Sequence, residues 1–87
     1  MASDKQIAYI KNLVKKVFKG QPEFIEKFNV HVNSIDSSSM SVMISGLRQE
    51  LNLKKLPYSM RSSIYSASNM NDFALPKFMN EYSKYIN

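Results

Sequence analysis

The chain has 87 residues, no cysteine and a formal net charge of +5, from twelve Lys and Arg against seven Asp and Glu. That length makes one domain, residues 1–87, which buries only about 60–65% of its unfolded surface, so a few large side chains must carry the core. Disulfides, iron–sulfur clusters and cysteine-bearing zinc sites are excluded by composition, and no apolar run reaches the length of a membrane span; a cytoplasmic protein without signal peptide or membrane contact is predicted.

In chain order, Ser3 to Gly20 reads as a first helix. Ser3 and Gln6 have the capping-box spacing, with Ala2 and Ile7 at the staple positions on either side. Ile7, Ile10, Val14 and Val17 recur at steps of three and four, flanked by Leu13 and Phe18, and form an inward stripe. Lys11, Lys15 and Lys19 run down another face with Lys16 beside them. Gly20 supplies a left-handed exit, and Pro22 forbids continuation.

Pro22 also suits the first position of a second helix, with Glu23 beside it favouring the positive end of the helix dipole. Phe24, Ile25 and Phe28 give its apolar side, and it is expected to end near Phe28. Asn29-Val30-His31-Val32-Asn33 alternates, but a lone strand has no partner, so it is either an extended connection or a fraying helix end. His31, the single histidine, has no acidic cluster beside it and reads as a surface or packing residue, not a metal ligand or base.

The third helix starts at Asp36, whose carboxylate accepts from first-turn N–H groups. Met40, Met43, Ile44, Leu47 and Leu51 form its stripe. Ser37, Ser38 and Ser39 read as an exposed first turn. Gly46 costs about 1 kcal/mol relative to Ala in mid-helix; either another backbone packs close there or the helix is marginal. Between Asn52 and Leu56 the leucines tuck in and Lys54 and Lys55 stay wet. Pro57 starts a fourth helix, from about Tyr58 to Ser68, with Met60, Ile64 and Ala67 inward and Tyr58 and Tyr65 as shoulders. Asn69-Met70-Asn71-Asp72 is a turn, with Asp72 a cap. Pro76 is tolerable only in a first turn, so the fifth helix begins near Phe73 or Leu75, with Phe78, Met79, Tyr82, Tyr85 and Ile86 as its stripe. The predicted fold is all-α: a compact bundle of four to five short helices.

Two stretches together carry a family resemblance. Lys5-Gln6-x-x-Tyr9-Ile10-x-x-Leu13 and Ile35-Asp36-x-x-x-Met40-Ser41-x-x-Ile44-x-x-Leu47 resemble a small helical module written K-Q-x-x-Y-I-x-x-L … L-[ST]-x-x-x-A-S-x-x-I-x-x-L. Such modules occur in phage and bacterial proteins, often as a tail on recombination and other DNA-processing proteins, and sometimes alone. The likeness covers Ser3 to Leu51; Met40 replaces the usual small residue, and Gly46 is unexpected. It implies a stand-alone phage or mobile-element protein associated with DNA transactions. In physical terms the matched residues are the facing stripes of the first and third helices. Tyr9 is then a core-edge aromatic, and Ser41 a residue that lets the helices approach.

No catalytic constellation assembles. The seven acids are scattered, neither glycine belongs to a phosphate loop, and a serine nucleophile has only His31 as base and no strand–turn–helix elbow. The expectation is a non-enzymatic binding protein with no cofactor and no metal. One reading has it binding nucleic acid with low specificity through Lys11, Lys15, Lys16 and Lys19, helped by Lys54, Lys55 and Arg61. The other has it modulating a host or phage enzyme through Tyr58, Tyr65 and Tyr85, with exposed Met.

Overall fold

In the computed structural model, which describes residues 2–67 and 74–86 (of 64–67 the backbone alone), the first helix begins at its capping box. Ser3 Oγ accepts the Gln6 N–H at 3.1 Å, and Gln6 Oε1 accepts the Ser3 N–H at 3.1 Å. Helix α1 (Asp4–Val17) buries Ile10, Leu13, Val14 and Val17. Ala2 and Ile7 pack on the same core. Beyond it Gly20 takes φ +96°, which L side chains rarely adopt, and the chain turns into α2 (Pro22–His31) with Pro22 in the first turn.

Helix α2 outruns its expected end by one turn, and the alternating segment after it is helical. A 3-10 turn (Val32–Ser34) follows His31. The cause is burial: Val32 and Ile35 are fully enclosed, and the tighter winding turns both inward while Val30 stays 75% exposed. His31 sits edge-on to Tyr82, ring centroids 6.4 Å apart, in a packing role.

Asp36 caps α3 (Ser37–Leu53), its Oδ1 accepting the Ser39 N–H at 2.8 Å. Met40, Met43 and Leu47 are fully buried, whereas Ile44 and Leu51 lie at the edge, half-buried. This helix packs on α1 and, more extensively, on α5 (Ala74–Tyr82). Gly46 makes the second contact possible. A Cβ there would lie 2.7 Å from the Ala74 carbonyl oxygen and 3.1 Å from the Phe78 nitrogen, so backbone does pack close and the glycine is the requirement for it. Gln49 Oε1 accepts the Ala74 N–H at 3.1 Å, satisfying the start of α5 where Ala74 holds φ 52°. Phe18, Phe24, Phe28, Phe78 and Tyr82 meet in the middle, with Phe18 and Phe24 centroids 4.1 Å apart and Phe78 and Tyr82 stacked at 5.7 Å.

Three inward assignments do not hold. Met79 and Ile86 are 38% and 44% exposed: Met79 lies 100° round the helix from buried Phe78, and a 3-10 turn (Ser83–Tyr85) breaks the register before Ile86. In α4 (Tyr58–Ala67) Met60 is 51% exposed and its neighbour Arg61 turns inward instead. The side chains of Ile64, Tyr65 and Ala67, the turn at 69–72 with its Asp72 cap, and Phe73 lie outside the described residues. Five short helices and no strand among the described residues make an all-α bundle of 38 × 25 × 24 Å.

Candidate nucleic-acid interface

Burying the stripe of α1 leaves its other faces to solvent, and Lys11, Lys15, Lys16 and Lys19 are all exposed. None of the four has an ion-pair partner among the described residues, where the one ion pair joins Lys84 to Glu81 at 3.1 Å. Lys15 and Lys16 occupy the last turn, where a cation also favours the helix dipole.

Of the second cationic group, Lys54 and Lys55 are exposed and Arg61 is half-buried. The Lys54 ammonium donates to the Val17 carbonyl at 3.2 Å, which ties this group to the end of α1, next to Lys16 and just before Lys19. Residues 37 positions apart thereby share one end of the molecule. Arg61 does not join them as a free charge: its Nε is shielded from solvent without a hydrogen-bond partner among the described residues, and its guanidinium lies 6.0 Å over the Tyr58 ring.

The three tyrosines of the protein-binding reading separate. Tyr58 is 77% exposed. Tyr65 lies outside the described side chains. Tyr85 is not an exposed contact: it packs against the core, and its hydroxyl donates to Ser39 Oγ at 2.8 Å. Ser39 is likewise buried, contrary to its reading as exposed first turn, and donates on to Glu81 Oε1 at 2.7 Å. Nothing local signals this chain of hydroxyls, because its members lie 42 and 46 positions from Ser39.

This cluster predicts a fold that loses stability in acid. The Ser39 hydroxyl, with Lys84 beside it, holds the Glu81 carboxyl below its ordinary value of 4.5, and the Ser39 backbone N–H and Ser38 hydroxyl hold Asp36 below 3.8. A carboxyl depressed by folding adds stability above its unfolded value and loses it as pH falls through the folded one. Thermal midpoints should therefore be level from pH 7 to about 5 and fall below about 4.5, with Glu81→Gln showing a shallower fall. Ser39→Ala strands the Glu81 and Tyr85 partners and should cost about 1–3 kcal/mol at pH 7 by urea unfolding. An unchanged midpoint for Ser39→Ala contradicts the assignment.

The resembling stretches of α1 and α3 meet directly. Gln6 Nε2 donates to Ser41 Oγ at 3.3 Å, and Ser37 Oγ donates to Gln6 Oε1 at 3.3 Å, so Gln6 serves both its own cap and the neighbouring helix. Tyr9 is 43% exposed at the edge of that seam.

No group of three or more potential metal ligands occurs among the described residues, and no helix there is long and apolar enough to cross a membrane. Fold and surface define a small, basic, all-helical domain with one densely cationic helix. Comparison with family models, curated proteins and solved structures finds no match to this chain.

Proposed function

We propose that this protein is a non-enzymatic binding factor, phage or mobile-element encoded and cytoplasmic, that associates with DNA or a nucleoprotein complex mainly through phosphate contacts. The observation that carries this reading is the set of Lys11, Lys15 and Lys16 on α1 with Lys19 in the turn just beyond it, exposed and free of carboxylate partners among the described residues. Cations so placed neutralise phosphates and release counterions, a source of affinity that reads charge and not sequence. The likeness of α1 and α3 to modules borne by DNA-processing proteins supports the same reading.

A second reading rests on Tyr58 and Met60, 77% and 51% exposed within one turn of α4. An exposed aromatic and an exposed methionine on the first turn of α4 suit a protein contact that wraps this helix end, and the partner is then a host or phage enzyme. Affinity capture from a cell lysate with and without nuclease separates the two. Loss of the captured material on nuclease treatment is expected for DNA association. Retention after nuclease, with loss on Tyr58→Ala, supports the protein contact instead.

A further inference from the structure

Lys11, Lys15, Lys16 and Lys19 are not equivalent. Lys11 and Lys15, one helical turn apart, line a cleft of about 340 Å³ between α1 and α2 together with Asn12, Ile25 and Asn29. Lys16 and Lys19 are as exposed but do not line it.

We infer that this cleft is the seat for the backbone of one strand of duplex DNA, and that Lys16 and Lys19 add only diffuse attraction. The inference rests on the DNA-binding reading above. Charge complementarity supports it: two lysines and two asparagines line one opening, and no carboxylate is among its lining residues. Glu26, the acid next to Ile25 in sequence, is exposed and lies outside the lining. Lys11 and Lys15 are separated by about 6 Å along the helix axis, so they address two successive phosphates and not one. Asn12 and Asn29 supply neutral N–H donors from opposite walls, which position a backbone without reading bases. Half-buried Ile25 gives the sugar an apolar surface to lie on.

Charged and neutral contacts leave different signatures, and that makes the cleft testable. Affinity for a duplex of mixed sequence is measured across a salt series for the parent, Lys11→Gln/Lys15→Gln, Lys16→Gln/Lys19→Gln, Asn12→Ala and Asn29→Ala. All six substituted positions are exposed and all but Lys19 lie in helix, and thermal melts verify that each variant folds. The Lys11/Lys15 pair should flatten the slope of log affinity against log salt by about 1.8, and the Lys16/Lys19 pair by less than about 0.9. Each asparagine variant should bind about three- to tenfold more weakly at unchanged slope, because a neutral donor releases no counterion. Equal or reversed effects of the two lysine pairs, or asparagine variants that bind like the parent, overturn the cleft while the lysine face stands. A parent that binds no duplex overturns both.

Discussion

Ile10→Asp should leave no folded protein at neutral pH. Ile10 is fully buried in the stripe that α1 presents to the core. Deleting its side-chain volume alone costs about 2–5 kcal/mol. An ionised carboxylate in its place adds several kcal/mol of desolvation, and protonation to escape that still leaves a buried polar group without a partner. A chain of this length has roughly 4–13 kcal/mol of stability in total, at about 0.05–0.15 kcal/mol per residue. The expected far-UV circular dichroism is that of an unfolded chain with no cooperative melt. Ile44→Asp is the informative companion: Ile44 is half-buried at the edge of α3, so its carboxylate reaches water, and that variant should melt lower than the parent yet still cooperatively. If Ile10→Asp melts at the parent temperature, the inward face of α1 is misassigned.

What was legible in the letters was local. The Ser3–Gln6 box, the Gly20 exit, Pro22 and the Asp36 cap are each fixed by neighbours within four positions, and each forms as its spacing dictates. The α1 and α3 stripes follow from periodicity for the same reason. Pairing is another matter. The dominant contact, α3 on α5, left one trace in the sequence, a glycine where helix propensity asks for none, and only the Ala74 carbonyl against Gly46 tells what it is for. The buried Ser39 sits in a run of three serines, and its burial depends on Glu81 and Tyr85 from the far end of the chain.

The surface was partly legible on the same grounds. Lysines on a helix whose other face is apolar must be exposed, and Lys11, Lys15 and Lys16 are, as is Lys19 in the turn just beyond. That Lys54 reaches the end of α1 depends on the course of the intervening chain, which no local pattern encodes. Asn12 and Asn29 carry no signal of their own, since amides are common on any helix exterior; they gain meaning only where α1 and α2 enclose a cleft. Arg61 was the hardest. In a short, serine-rich helix such as α4 the apolar periodicity is weak, and Met60 is exposed while Arg61 beside it is half-buried.

The second large effect concerns binding. Changing Lys11, Lys15, Lys16 and Lys19 together to Gln removes four exposed charges and lowers the net charge from +5 to +1. Stability should hardly change, because exposed charges contribute little to folding. Binding should change greatly. Two to four neutralised phosphates give a slope of about −1.8 to −3.6, so the parent loses about 12- to 150-fold in affinity between 50 and 200 mM salt. The direct measurement is that slope on duplex DNA, for parent and quadruple variant, with thermal melts alongside. The lysine face predicts detectable parent binding near physiological salt, a slope in that range, and a variant that melts like the parent while its slope is flatter by about two units or more. A parent that does not bind duplex DNA, or a quadruple variant that keeps both slope and affinity, contradicts it.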